Sequence, residues 1–307
     1  MIKVIDLGKR YGDLVAVDGL DFEIKRGETF GLLGPNGAGK STTIGMTVGL
    51  LKPDQGNVEI GQPGDSQHGP PTAAAVRSRI GISPQSLSLY EELSARENLI
   101  FFGGLYGMSG KKIRERTDWA LKFAGLEDRQ KDRVDKFSGG MKRRLNIAAA
   151  LIHEPDILLL DEPTVGVDPQ SRNHIFESIE SLKDSGITVI YTTHYMEEAQ
   201  RLCDRVAIID HGKLLALDSV DALIDNHGGQ SVVSGEIDRQ EKLSNYKHDL
   251  VQGINLDGNR LQFYSHKPFE AITELTTNVG VKFQTLNLAR PDLESVFLSL
   301  TGRSLRD

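Results

Sequence analysis

The stretch Gly34-Pro35-Asn36-Gly37-Ala38-Gly39-Lys40-Ser41-Thr42 holds three glycines, one cation and two hydroxyls in nine residues. It fits the pattern G-x-x-x-x-G-K-[ST]. Backbone this free lets consecutive N–H groups turn inward around an anion. A helix opening at Lys40 would aim its N-terminal N–H groups and the positive end of its dipole at the same point. The chemistry is phosphate binding: Lys40 is expected to reach the β- and γ-phosphates of a nucleotide, and the Ser41 hydroxyl to ligate Mg²⁺. Taken alone the stretch is also a glycine-rich turn with an exposed lysine. An apolar strand over residues 29–33 and a helix over 40–50 supply the context that phosphate binding needs.

A nucleotide site of this kind needs a second acidic group. The run Ile157-Leu158-Leu159-Leu160-Asp161-Glu162 is apolar and ends in two carboxylates. Asp161 is placed to hold Mg²⁺, through water. Glu162 leaves the strand end in another direction and is placed to polarise an attacking water as general base. A third feature is Phe137-Ser138-Gly139-Gly140-Met141, ahead of Lys142-Arg143-Arg144-Leu145-Asn146-Ile147-Ala148. Ser138, Gly139 and Gly140 would open an apolar helix with free N–H groups, a second anion site; an ordinary N-capped turn has the same sequence. One phosphate loop with two anion-grasping helix starts suggests two half-sites, each completed by a second copy of the chain. Lys142, Arg143 and Arg144 are expected to be solvated or to face a partner.

The elements that must position these groups alternate. Strands over 29–33, 157–160 and 187–193, with a helix over about 171–183, argue for an α/β domain with parallel pairing. Residues 2–7 and 15–22 look like antiparallel strands. Between about 84 and 133 few β-branched residues occur, and helices are expected over 93–100 and 111–124, forming a helical subdomain at about 86–135 inserted in the domain. Asn226-His227-Gly228-Gly229-Gln230 is a turn-rich break. Beyond it, strands at 260–264 and 281–288 and helices at 268–278 and 292–300 make a small α+β domain over 231–307. Residues 64–72 read as a polar surface loop.

As a set, these motifs resemble the ATP-binding subunits of ABC transporters over about residues 2–225. The resemblance implies an ABC-type P-loop NTPase domain at 1–225: a parallel-sheet core, N-terminal antiparallel strands and the inserted helical subdomain. It implies that Tyr11 stacks on adenine and that 34–42 is the Walker A loop. By the same resemblance Gln85 matches the glutamine of the Q-loop, which is expected to take part in catalysis and metal binding. Residues 137–141 are the signature, 158–162 the Walker B strand, Val165-Gly166-Val167-Asp168 the D-loop and His194 the switch histidine near the γ-phosphate. In that family two subunits form a head-to-tail dimer, each ATP lying between one chain's Walker motifs and the other's signature. Phe137 and Met141 stand where leucine and glutamine are most familiar. That variant, with the ending Asp292-Leu293-Glu294-Ser295-Val296-Phe297-Leu298-Ser299-Leu300-Thr301-Gly302, resembles a subgroup similar to daunorubicin-resistance ATP-binding proteins and related exporters. Their membrane part is a separate permease chain. Alone, each residue has a plainer reading: Tyr11 a strand aromatic, Gln85 a surface amide, His194 a strand-end histidine, Asp168 a helix N-cap.

The bulk numbers agree. The chain has 307 residues, 38% hydrophobic and 26% charged, with a formal net charge of −7. That balance argues against a general nucleic-acid binder. Its single cysteine, Cys203, excludes an internal disulfide and a cysteine-built metal site, and reads as a small apolar filler on a helix. No apolar run approaches the ~18 residues of a membrane span, and Met1–Asp6 lacks a signal-peptide layout. The expectation is a cytoplasmic subunit, peripheral on the inner membrane face through a permease. The rival is a soluble ABC-type ATPase acting on ribosomes or DNA; one cassette, no long coiled coil and no zinc-binding cysteines speak against it. The transported compound is not legible, export is favoured over import, and residues 231–307 serve dimer stabilisation, regulation or plain packing.

Overall fold

The computed structural model describes residues 1–61, 68–238, 243, 246 and 248–302. Contacts divide the chain into two units, Met1–Val220 and Asp221–Asp307. In the first, strands β1 (Ile2–Tyr11), β2 (Leu14–Ile24) and β3 (Thr29–Leu33) precede helix α1 (Lys40–Thr47) and β4 (Gln55–Ile60). Then come α2 (Ala74–Arg77), β5 (Ile80–Ser83), α3 (Ala95–Leu105), α4 (Gly110–Phe123) and α5 (Gly139–Ala150). The unit closes with β6 (Ile157–Asp161), α6 (Pro169–Leu182), β7 (Thr188–Thr193), α7 (Met196–Leu202), β8 (Arg205–Asp210) and β9 (Lys213–Ser219).

Six strands form one sheet in the order β5-β6-β7-β3-β8-β9, parallel except for β9. Phe30, Leu32, Ile157, Leu159, Ile190, Ala207 and Ile209 project from one face onto a core shared with α1 and with the antiparallel sheet β2-β1-β4. Their neighbours Leu33, Leu158, Leu160, Val189 and Val206 are buried on the other face. Burial on both faces is why these strands read as continuous apolar runs instead of alternating ones. Parallel pairing sends the carboxyl ends of β3, β5, β6 and β7 to one edge, and β3 lies between β7 and β8. The carboxyl edge at such a reversal of strand order is where open α/β sheets bind ligands.

Helices α3, α4 and α5 share a separate core that includes Leu99, Leu121, Phe137, Leu145 and Ile152. The helix expected over 93–100 starts at Ala95 because Ser94 caps it: the Ser94 side chain accepts from Glu97 N–H, and the Glu97 carboxylate accepts from Ser94 N–H. The helix expected over 40–50 stops at Thr47, where Leu50 N–H folds back to Gly45 O at 2.8 Å. Of the loop expected over 64–72, residues 64–67 lie outside the described residues, and Gly69 pairs with Ile60.

His153 follows α5 and stacks on Tyr106, with ring centroids 3.6 Å apart and planes 4° apart. Burial pushes its pKa from 6.5 down to about 4. The folded state therefore holds the ring neutral while the unfolded chain takes up a proton, so stability falls as pH drops through that window. Thermal melts of His153→Phe, followed by circular dichroism, should lose part of the wild-type decline between pH 6.5 and 4. Parallel declines for the two proteins would sink the assignment.

The second unit contains α8 (Val220–His227), β10 (Ser231–Glu236), β11 (Gln252–Asp257), β12 (Arg260–Ser265), α9 (Pro268–Glu274), β13 (Asn287–Ala289) and α10 (Leu293–Thr301). Its antiparallel sheet, β11-β12-β10-β13, packs Val233, Leu261 and Phe263 against Ala271 and Leu275. α8 runs into the segment read as a break. Of the strand expected over 281–288, β13 pairs through Asn287–Ala289 and Phe283 forms an isolated antiparallel bridge with Ile237, while Val281 is buried in the core. Among the described residues no helix is long and apolar enough to cross a membrane.

Candidate nucleotide site

The loop between β3 and α1 is shaped by close approaches that only glycine permits. A Cβ on Gly34 would lie 2.3 Å from Ile209 O, and one on Gly39 2.3 Å from Ala16 O. Gly39 also adopts φ +99° as it caps α1. Ala38 is buried and its carbonyl accepts from Gly212 N–H at 3.0 Å, pinning the loop to the turn after β8. Asn36, Gly37 and Ser41 are exposed, and Pro35 and Thr42 half-buried. The N-terminus of α1 has no side-chain cap and no acidic residue in its first turn, which leaves it open to an anion. Lys40 curls back beneath the loop and its ammonium donates to Gly34 O at 2.8 Å and Pro35 O at 3.1 Å.

The same ammonium meets Glu162 Oε1 at 3.3 Å. Glu162 is the meeting point of the edge. His194 Nδ1 lies 3.2 Å from Oε1, and Gln85 Nε2 donates to Oε2 at 3.0 Å. Its backbone sits at φ +46°, a left-handed conformation that costs a non-glycine residue about 1–2 kcal/mol. That turn swings its side chain away from the direction of Asp161. Its N–H donates to Thr192 O at 3.2 Å and to Thr192 Oγ1 at 2.9 Å, which holds the conformation. The Thr192 hydroxyl donates in turn to Asp161 Oδ1 at 2.6 Å. Two adjacent carboxylates thus face different surroundings, a hydroxyl for Asp161 and a cation with an amide for Glu162.

The donors expected for a divalent ion are the Ser41 hydroxyl, the Gln85 amide and the Asp161 carboxylate. Among the described residues no cluster of three or more His, Cys, Asp or Glu could hold a metal by itself. A single carboxylate with neutral oxygens fits Mg²⁺, which completes its octahedron with water and phosphate oxygens.

Other expected residues lie elsewhere. Tyr11 ends β1, 48% exposed, with the Lys9 ammonium 5.7 Å from its ring centroid. Ser138 caps α5, its hydroxyl accepting from Met141 N–H at 3.2 Å. No hydrogen bond or ion pair among the described residues joins Ser138, Gly139 or Gly140 to the loop at 34–42. Gly140 packs on the start of α6, which Asp168 caps by accepting from Ser171 N–H at 2.9 Å.

Three features escaped the sequence reading. The first is Thr192, whose only signal is a hydroxyl at the end of a buried strand just before His194. The second is Glu198 on α7, 3% exposed, whose carboxylate accepts from Thr164 Oγ1 at 2.6 Å, Tyr191 OH at 2.9 Å and Thr193 Oγ1 at 2.9 Å. Burial, reinforced by that carboxylate, pushes the Tyr191 phenol well above its ordinary value. No pattern in a Glu-Glu pair announces this role. The third is the basic run, expected to be solvated or to face a partner. Instead Arg143 is 6% exposed, Lys142 pairs with Glu91 at 2.5 Å, and Arg144 donates to Ala124 O and Gly125 O. Cys203 is a buried filler, as expected, with Sγ 2.8 Å from where a Cβ on Gly31 would sit.

Comparison with known proteins agrees with this geometry. Residues 17–165 match the family model described as ABC transporter. The chain is 42% identical to the linearmycin resistance ATP-binding protein LnrL of Bacillus subtilis (strain 168), covering all of both chains. It is 43% identical to the Nod factor export ATP-binding protein I of Cupriavidus metallidurans, covering all of this chain and 99% of that one. Among solved structures, a dimeric ATP-binding cassette in a post-hydrolysis state with ADP and Pi matches with a TM-score of 0.63 and 29% identity. It covers 71% of this chain and 98% of its own. A phosphate loop, a carboxylate pair, a glutamine and a histidine gathered at one sheet edge, in a chain alike from end to end to these relatives, have one reading: the chain belongs to the ABC transporter family, as an ATP-binding and ATP-hydrolysing subunit.

Proposed function

We propose that two copies of this chain close head to tail around two ATP molecules and thereby drive export through a separate permease. The observation that carries the reading is the convergence of Lys40, Gln85 and His194 on Glu162, while among the described residues Ser138–Gly140 make no hydrogen bond to the 34–42 loop of their own chain. Each nucleotide would lie between the 34–42 loop of one copy and the Ser138 end of α5 in the other, with Tyr11 against the adenine. Phosphate oxygens would compete with Glu162, Gly34 O and Pro35 O for the Lys40 ammonium. Glu162 then takes the proton of the attacking water, whose oxygen bonds to the γ-phosphorus as ADP leaves. Lys40 and His194 offset the charge that develops on the γ-phosphate. Ser41, Asp161 and Gln85 would hold Mg²⁺, which when bound adds its charge to that stabilisation.

ATP favours the closed pair because it touches both copies, a differential contact that the open pair lacks. Hydrolysis removes it. Export, a cytoplasmic location on the inner membrane face and a permease partner are supported by the resistance and export relatives, which align over the whole chain. The dimeric cassette supports pairing of two copies. We test this with Glu162→Gln in solution by light scattering. Its mass should double with Mg·ATP, and adding Ser138→Ala should weaken that pairing. A monomer with and without Mg·ATP would overturn the ATP-bridged dimer.

A further inference from the structure

One helix grips the segment that carries Gln85 at four points. Arg143 on α5 donates from Nη1 to Pro84 O at 2.8 Å and from Nη2 to Gln85 O at 2.6 Å. Three residues on, on the same face, the Asn146 amide donates to Ser83 Oγ at 2.9 Å. Its carbonyl oxygen accepts from Ser88 N–H at 3.0 Å. Arg143, Asn146 and Ser83 are 6%, 3% and 0% exposed. A buried guanidinium is retained only where its hydrogen bonds offset its desolvation, and here burial lowers its pKa. Two consecutive carbonyls fill its fork.

The segment from Ser83 to Ser88 therefore cannot move without α5. The first residue ahead of α5 is Ser138, and the side chain of Gln85 reaches Glu162 at 3.0 Å. One rigid helix thus joins the Ser138 end to the carboxylate edge through side chains of defined geometry.

The geometry points to Arg143 and Asn146 as positioning residues: they lock the Gln85 segment to α5, so that the placement of the Gln85 amide against Glu162 follows the placement of Ser138. This rests on the proposed dimer for its meaning. Ser138 there meets the partner's ATP while Gln85 and Glu162 serve the chain's own, so the clamp lets one nucleotide set the geometry around the other. Neither residue touches ATP.

The test is a double-mutant cycle between Arg143→Met and Gln85→Ala on the full chain, reading kcat and KM for ATP hydrolysis. Arg143→Met keeps the apolar stem and removes the fork. The expected result is a fall in kcat of about 10- to 100-fold, the scale of an ångström-level misplacement, with KM within about 2-fold. In the Gln85→Ala background the same substitution should change kcat less than about 2-fold. Arg143→Lys, which can keep one carbonyl bond, should recover part of the loss in the wild-type background alone. If Arg143→Met melts too early to assay, Arg143→Lys takes its place in the cycle, with a loss of a few-fold that Gln85→Ala abolishes. Equal losses in both backgrounds, or unchanged kcat in the wild-type background, would overturn the clamp. Light scattering of Glu162→Gln keeps the two ideas apart. A dimer there with an additive cycle sinks the clamp alone; no dimer with a non-additive cycle sinks the dimer reading and leaves the clamp within one chain.

Discussion

Glu162→Gln is expected to lower kcat for ATP hydrolysis by about 10²- to 10⁴-fold, the usual contribution of a positioned general base, and to tighten ATP binding instead of weakening it. The substitution keeps the shape of the side chain and an acceptor oxygen for His194. It removes the charge that faces Lys40 at 3.3 Å and the basicity that takes the water's proton. The pair is buried, at 5% and 9% side-chain exposure, so Lys40 is left without a counter-charge. That loss destabilises the free protein but not the complex, where phosphate oxygens supply the missing charge. The variant should therefore melt earlier than wild type alone and gain more from saturating Mg·ATP. Phosphate release, equilibrium nucleotide binding and melts with and without nucleotide are the measurements. A near wild-type rate would sink Glu162 as the base. Asp161 is the control: its carboxylate is engaged by Thr192 Oγ1 at 2.6 Å instead of by a cation. Asp161→Asn should raise the Mg²⁺ requirement instead of producing a nucleotide-retaining, slow enzyme.

Parts of this site were legible because local sequence dictates them. A strand buried on both faces must be apolar throughout, and Ile157–Asp161 and Thr29–Leu33 announce themselves that way. The glycines at 34 and 39 are legible because no other residue fits against Ile209 O and Ala16 O. Ser138 is legible as a cap because its hydroxyl serves an N–H three residues on. What was not legible depends on distant partners. Arg143 reads as a surface cation, since charged side chains are seldom buried. Its two carbonyls lie 58 and 59 residues earlier in the chain, and only the folded segment brings them to it. Glu198 is hidden in the same way by hydroxyls on β7 and on the segment after β6. The left-handed turn at Glu162 has no sequence mark at all, because it is imposed by Thr192 on a neighbouring strand. The strand expected over 281–288 is interrupted: Phe283 bridges Ile237 and Asn287–Ala289 pair with β10, but the residues between them leave the ladder, and nothing in the alternation of apolar residues marks that break.

The adjacent glycines of the Ser138 motif are expected to respond in opposite ways to the same substitution. Sequence gives no reason to separate them, but their surroundings do. A Cβ on Gly139 meets nothing within 4 Å, whereas one on Gly140 lies 2.1 Å from Ser171 Oγ, 2.4 Å from Ser171 Cβ and 2.9 Å from Asp168 Oδ2. Rotating the Ser171 hydroxyl removes the first contact and not the second, because that Cβ is fixed to the backbone of α6. Gly140→Ala must therefore push α5 away from the cap of α6, at a cost of about 1–3 kcal/mol for an overpacked contact. Gly139→Ala, in the first turn of a helix and in open space, should be neutral or stabilising by up to about 1 kcal/mol. Urea unfolding of the two variants measures the difference. Gly140→Ala with Ser171→Gly should regain part of the loss, since the remaining neighbour is the movable end of Asp168. If Gly140→Ala unfolds no earlier than wild type, close packing is not what keeps a glycine there. The activity of Gly139→Ala then carries separate information. With folding intact and no neighbour within 4 Å of that Cβ among the described residues beyond its own helix backbone, a loss of ATP hydrolysis points to a surface outside the chain, which in the proposed dimer is the nucleotide held by the other copy.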